Sequence, residues 1–358
     1  MPVSLSTSTP KAVFIIGAGA SKEAGLPIGS ELKKSIAKAL DIRFERLTRM
    51  INGDHLIYEA FRLAAANDPT HNDLVSSFQR AGWRIRDAMP QAISIDNFID
   101  TQSEDKQIEL CGKLAIVRTI LEAESDSALF VDQLRGNHPL NFERLESTWF
   151  NSFFRRLTEN CKPSDIAKRL SSVVLVIFNY DRCIEHYLYH ALQSYYFMTA
   201  SDVASLLQNL EIYHPYGTVG SLPWLKQHDA IEYGVLPNSG QLLRLTSRIK
   251  TFTEGTNESS SDVTAIRSHM KTSLSLVFLG FAFHPLNIEL LLPNASSTSP
   301  PARRSVFATA YGISNSNTAA ISAELASRGV LSARDIQIRN DLTCSQLFQE
   351  YSRSMSFT

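Results

Sequence analysis

Three separated clusters in the sequence carry the residue types needed to hold and cut a nucleotide. The first is Gly17-Ala18-Gly19-Ala20-Ser21, which directly follows the apolar run Ala12 to Ile16. Closely spaced glycines let a main chain turn tightly and approach a diphosphate, while free amides at the start of a following helix offer donors and partial positive charge. Gly17, Gly19 and Ser21 are read as nucleotide contacts. A strict dinucleotide fingerprint carries a third glycine at position 22, which here is Lys22, so the ordinary dehydrogenase pattern is excluded. The second cluster is Phe178-Asn179-Tyr180-Asp181 and the third is His214-Pro215-Tyr216-Gly217. The Asn179 amide donates and accepts, which suits a sugar hydroxyl and an attacking water together. Histidine changes protonation near neutral pH, which suits His214 to take the proton of that water. Asp181 binds ribose or locks the loop. Taken singly, each cluster also has a plainer use: Asn and Asp after a strand cap helices, and His-Pro-Tyr-Gly is a turn sequence.

These clusters act together only if the fold joins them, and the surrounding pattern predicts elements that do so. Leu32, Ile36, Ala39 and Leu40 recur at helical spacing behind the glycine turn. Ser172 to Phe178 is an apolar, β-branched run that reads as a fully buried parallel strand ending at Asn179. Glu211 to His214 and Ser273 to Gly280 read as further strands, so polar or glycine groups sit at successive strand ends, where open parallel sheets bind ligands. Ser305 to Tyr311 is read as the last strand, with a helix near Asn317 to Ser327 behind it. Leu56 to about Leu157 is helical in pattern, with Phe142, Leu145, Trp149 and Phe153 at helical steps. Within it, Ser94-Ile-Asp-Asn-Phe98 places an N-cap at Asp96, a residue also kept as a pocket candidate. His284 and Asn287 read as a helix start and a surface residue, and Tyr187, Tyr189, Tyr195 and Tyr196 as helix packing. Polar stretches at 253–262 and 293–301 read as loops.

Composition narrows the class. Hydrophobic residues make up 44% and charged residues 20% of 358, ordinary for a globular chain with one large or two modest domains. Thirty-five basic against thirty-six acidic residues leave a formal charge of -1, so no global electrostatic case exists for nucleic acid. No secretory signal or membrane span is read, and a cytoplasmic location is expected. Cys111, Cys161, Cys183 and Cys344 lie far apart without a C-x-x-C pair, which points to core filling rather than zinc or disulfides.

The clusters resemble, in order, the motifs of the sirtuin superfamily between about Val13 and Tyr311. The glycine run with Ala24-Gly25-Leu26-Pro27 is similar to the first motif, Asn179 and Asp181 to the asparagine-aspartate motif, and His214 with Gly217 to the histidine-glycine motif. Gly280-Phe281 occupies the place of the later glycine turn, which in that superfamily contacts the adenosine half. The resemblance implies Asn179 and His214 as catalytic residues, and Gly17, Ala18, Gly19, Ser21, Gly25, Pro27, Asp181, Gly280 and Phe281 as contacts to NAD+. It implies an α/β, Rossmann-like, doubly wound parallel sheet with a helical insertion lobe at approximately 50–165. Residues 11–358 would form this NAD-binding domain, behind a flexible N-terminus at 1–10.

Two departures direct the resemblance towards the bacterial sirtuin-like proteins of antiphage defence, which consume NAD+. The zinc cysteines of the deacylases are missing, and Pro27-Ile28-Gly29-Ser30 replaces the proline-aspartate-phenylalanine-arginine tail of their first motif. The expected activity is an NAD+ glycohydrolase that takes NAD+ as substrate, without a metal. The resemblance further implies a homo-oligomer and a HerA-type ATPase partner. Two alternatives remain open at this level: a noncatalytic sensor of NAD or ADP-ribose, and an NAD-dependent protein deacylase.

Overall fold

The run Ala12–Ile16 (β1) is buried on both faces and lies at the centre of a six-stranded sheet. A computed structural model of the chain describes residues 12–46, 49–132, 140–255, 261–293, 304–329 and 335–355. The N-terminus expected to be flexible, 1–10, lies outside these, as do 256–260 and 294–301 of the two expected loops. After β1 come the hairpin strands Arg43–Glu45 (β2) and Arg49–Asn52 (β3), then Val173–Ile177 (β4), Glu211–Tyr213 (β5), Ser275–Leu279 (β6), Ser305–Thr309 (β7) and Ile336–Arg339 (β8). The main sheet runs β5-β4-β1-β6-β7-β8, with every neighbouring pair parallel. Ile15 stands opposite Val176 on one side and Phe278 on the other.

This order makes the sheet doubly wound and α/β. The chain works outwards from β1 through β4 to β5, then returns to place β6 on β1's free side. Successive loops therefore leave in opposite directions between β1 and β6, and a crevice opens at the carboxyl ends of those strands. Three strands differ from the sequence expectation. The last strand is β8, not the segment at 305–311, and the hairpin β2–β3 stands apart from the main sheet.

Alternation along β1 builds two cores. Val13 and Ile15 pack with Ile36, Phe61, Ile85 and Leu114, so the helices Gly29–Leu40, His55–Ala64, His71–Ala88 and Lys106–Asp126 cover one face. Phe14 and Ile16 pack on the other face with Trp149–Thr158, Cys183–Tyr196 and Cys344–Glu350. The Phe14 ring meets Phe153 edge-on at 5.1 Å and lies parallel to Phe348 at 6.2 Å. Each such buried phenylalanine contributes about 1.5–3 kcal/mol. The predicted helical insertion is thus present, and it bears directly on the sheet. Its helix Lys106–Asp126 is buried on every side from Cys111 to Leu121, and the two charges in that stretch are paired, Lys113 with Glu109 at 2.8 Å and Arg118 with Asp54 at 2.8 Å. Among the described residues no helix is long and apolar enough to cross a membrane.

Helix starts follow ordinary capping chemistry, with one correction. Asp54, Asp105 and Thr199 each accept an amide from the first turn they begin. In Ile95–Thr101 the cap is Ser94, whose hydroxyl accepts from the Asn97 amide at 3.0 Å, so Asp96 is not the cap. Its carboxylate is left for another partner.

Candidate active site

The glycine turns behind β1 and β6 interlock at the crevice. Gly17 and Gly19 donate to the carbonyls of Leu279 and Gly280 at 2.9 and 3.0 Å, and Ala20 donates to Gly17. A methyl group on Gly17 would lie 2.5 Å from the Gly280 oxygen, and one on Gly280 would lie 2.0 Å from the Ala20 nitrogen. Gly280 also holds φ +56°, the left-handed region that favours glycine. Main chain therefore packs on main chain, and this contact alone demands the glycines. It also corrects the expectation of free amides, because those of Gly17, Gly19 and Ala20 are already bonded. Ala18, Gly19 and Gly280 remain partly exposed at the rim of the crevice. Gly25, at φ +100°, ends the turn Lys22–Ala24, and Pro27 follows it, partly exposed.

Ser21 joins the first cluster to the second. Asn179, just beyond β4, donates its Nδ2 to Ser21 Oγ at 3.0 Å. Asp181 takes the amide of Cys183 at 3.2 Å and a hydrogen bond from Ser21. All three are buried, at 2% for Ser21, 7% for Asn179 and 5% for Asp181. Burial raises the Asp181 pKa, against the pull of the bonds from Cys183 and Ser21. Asp181 is not the cap of the helix Cys183–Tyr196, whose N-cap is Arg182 without a side-chain bond; its carboxylate stands one residue earlier and takes the amide of Cys183.

His214, at the end of β5, completes the group. Its Nε2 lies 2.6 Å from Glu185 Oε1, and its Nδ1 lies 3.4 Å from the main-chain oxygen of Asn179. Glu185 and the Asn179 carbonyl both accept, so each contact is a hydrogen bond only when the ring nitrogen facing it carries a proton. With the proton on Nε2, for Glu185, Nδ1 keeps its lone pair, and a second proton taken there would be donated to the Asn179 carbonyl. His-Pro-Tyr-Gly is indeed a turn, closed by the Gly217 amide on the His214 carbonyl at 3.0 Å. Gly217 at φ +76° packs against the Arg248 carbonyl, where a methyl group would meet it at 1.7 Å. Glu185, given no role from sequence, joins the group through this contact. The available signal was an acid in the first turn of the helix behind Asn179-Tyr-Asp181.

Around this group the face of the sheet that carries Val13 and Ile15 contributes further polar contacts. Tyr180 donates to Asp96, whose carboxyl is pushed up to about 6 by burial. Tyr216 donates to Asn287, so two residues given only minor roles from sequence reach the site's flank. Phe281 does not line an open surface: it is buried, edge-on to Phe178 at 5.0 Å. His284 begins the helix Pro285–Leu291 without a side-chain cap. On the opposite side Glu23 accepts the amides of Trp149 and Ser345 at 2.6 and 2.9 Å, tying two helix starts to the glycine turn. Trp149 Nε1 in turn donates to the Ala20 carbonyl at 3.0 Å.

The sequence-predicted residues Gly17, Gly19, Ser21, Asn179, Asp181, His214 and Gly280 thus converge on the carboxyl ends of β1, β4, β5 and β6. Chemically the set offers a base with an orienting carboxylate, an amide beside it, and a buried acid. Among the described residues no group of three or more His, Cys, Asp and Glu is placed to hold a metal. No protein-family model matches the chain, and no curated protein matches it.

Proposed function

We propose that the chain is an NAD+ glycohydrolase. The observation that supports this reading most is the chain of contacts Glu185–His214–Asn179–Ser21, which runs from a proton acceptor to the glycine turn across three adjacent strand ends. Hydrolysis breaks the bond between ribose C1′ and the pyridinium nitrogen, and its electron pair leaves with nicotinamide. Water adds at C1′ and gives up a proton, so the products are nicotinamide, ADP-ribose and H+. In this scheme His214 Nδ1 takes the proton, Glu185 holds the ring, and Asn179 orients water and ribose hydroxyl. The Asp181 carboxylate faces the positive charge that develops on the sugar. The resemblance extends the reading to a homo-oligomer in the cytoplasm that depletes NAD+ during phage infection beside a HerA-type ATPase.

The burial of Ser21, Asn179 and Asp181 favours a second reading, a noncatalytic sensor that closes on NAD or ADP-ribose. Incubating the full chain with NAD+, without an acylated peptide, separates the two. Nicotinamide release that disappears in Asn179→Ala and His214→Ala supports the hydrolase. Saturable NAD+ binding with no release, in every assembly state, supports the sensor. Release only when an acyl-lysine peptide is added would replace both with a deacylase.

A further inference from the structure

The hairpin strand β2 and two helices of the insertion border a cavity of about 530 Å³ that shares no residue with the candidate active site. Tyr58 and Arg62, four residues apart on the helix His55–Ala64, form one wall. Val75, Gln79 and Trp83, again at steps of four, form another on His71–Ala88, and Arg43 and Phe44 of β2 supply the third. These walls are fixed to one another: Trp83 Nε1 and Gln79 Nε2 both donate to the carbonyl of Ile42, next to Arg43, at 3.0 Å. The Phe44 ring lies 4.8 Å from that of Tyr58, tilted by 58°. All of these groups can meet a ligand, since Phe44, Tyr58 and Trp83 are half-buried and the Arg43 and Arg62 side chains are 56% and 53% exposed.

The charges and rings in the lining select the ligand. Two guanidinium groups line the cavity, and among the described residues no carboxylate does. Their acid partners stand outside it, Asp41 at 2.8 Å from Arg43 and Glu59 at 3.3 Å from Arg62. Asp41 also accepts from Arg86 and Asn52, so its one charge serves two guanidinium groups. Exposed pairs of this kind are worth little, and a phosphate, which takes a guanidinium through two parallel bonds, competes with them. A bare anion would leave three aromatic rings uncovered, a cation would face the guanidinium groups, and a neutral ring would leave those groups unused. A formal charge of -1 over the chain gives a polyanion no general attraction, so ring and phosphate must both contribute. Asn72 and Ser76, exposed in the same lining, offer an amide and a hydroxyl to the edge of a base. We infer that this cavity is a second nucleotide site, in which a base stacks against Phe44 and Tyr58 while its phosphate meets Arg43 and Arg62. The nucleotide is free or is one unit of a single strand; for a strand, Arg46 and Arg49 stand exposed on the same hairpin, against one acid, Glu45. The site is independent of the hydrolase reading.

The test uses the full chain with thymidine monophosphate, thymidine, inorganic phosphate and a six-residue oligothymidylate as probes. Indole N–H resonances keep the cavity apart from the crevice, because Trp83 lines the first and Trp149 bonds the Ala20 carbonyl beside the second. The Trp83 resonance is expected to shift saturably with the monophosphate, and thymidine to bind about 10-fold or more weakly. Arg43→Gln and Arg62→Gln should each weaken the monophosphate about 10-fold, the loss of a charge-assisted bond, and leave thymidine unchanged. Phe44→Leu should weaken both. An oligothymidylate that binds about 10-fold or more tightly than the monophosphate identifies a strand as the source, and equal affinity identifies a free nucleotide. A Trp83 resonance unmoved by millimolar monophosphate and oligothymidylate overturns the proposal. Shifts at Trp149 alone, inorganic phosphate that binds as tightly as the monophosphate, or binding unchanged in all three variants overturn it equally.

Discussion

Glu185 grips the far nitrogen of His214 at 2.6 Å, while the near nitrogen faces the main chain of Asn179 at 3.4 Å. A base held this way depends on its carboxylate for tautomer and orientation, so the two residues form one unit. Glu185→Gln is expected to lower kcat for NAD+ cleavage by about 10²–10⁴-fold, the usual worth of a positioned general base, with KM little changed. His214→Ala should lose a similar factor, and the double variant little more, because residues acting as a unit are not additive. Additive losses in steady-state kinetics would show that Glu185 and His214 act separately.

The contact between glycine turns predicts a graded response to alanine. At Gly280 a methyl group meets the Ala20 nitrogen at 2.0 Å and the backbone is left-handed, whereas at Gly29 nothing lies within 4 Å. Overpacking and left-handed strain together put the cost of Gly280→Ala at about 2–5 kcal/mol. Gly29→Ala, in the first turn of a helix, should leave stability unchanged or slightly raise it. Urea midpoints check the order, and a harmless Gly280→Ala would show that the turns do not need main-chain contact.

That contact marks where the sequence became illegible. β1, β4 and β6 were readable because parallel strands buried on both faces appear as unbroken apolar runs. β8 was not: Ile336-Gln-Ile-Arg339 is a short edge strand whose side chains are mostly half-exposed, so alternation over four residues gave too little signal. The site residues were legible as strand-end clusters, yet the reason for their glycines was not. Gly17 and Gly19 look like a phosphate cradle from one end of the chain, while the residue that requires them, Gly280, is far along it. Tyr180 with Asp96 and Tyr216 with Asn287 were hidden likewise, because a hydroxyl's partner is fixed by tertiary packing rather than by local pattern.

Behind the site, Arg182 and Glu124 form a two-pronged pair, Nε to Oε1 at 3.1 Å and Nη2 to Oε2 at 2.5 Å, with side chains 2% and 0% exposed. Arg182 also donates to the Ile231 carbonyl at 2.7 Å, and Glu124 accepts the Gly234 amide at 3.1 Å, so the pair fastens the loop beyond His214 to the helix Lys106–Asp126. Removing one partner leaves the other charge buried alone. Glu124→Gln and Arg182→Met should each cost about 3–5 kcal/mol, and the double replacement less than the sum. Chemical denaturation of the four proteins measures the coupling, and a coupling near zero would mean that water reaches the pair.

Acid stability is set by opposed titrations on the two faces of the sheet. Burial lowers the His190 pKa to about 4, and lowers that of His186 well below the ordinary value, with the His190 charge adding to the effect. Between about pH 4 and 6.5 the unfolded chain binds protons that the folded one refuses, so this contribution is present above about 6.5 and is lost as pH falls through 4. Asp96, pushed up to about 6, does the reverse: the folded chain keeps a proton that the unfolded one has released. Its contribution is full below about pH 4 and is lost as pH rises through 6. His190 and Asp96 each account for at most about 3 kcal/mol, with opposite signs, so a variant at either one isolates its own slope. Asp96→Asn removes the opposing contribution and should steepen the loss between pH 6 and 4. His190→Gln should flatten it. Urea midpoints measured across that range give both slopes, and an Asp96→Asn profile parallel to the parent's would show that the Asp96 carboxyl titrates alike in the folded and unfolded chains.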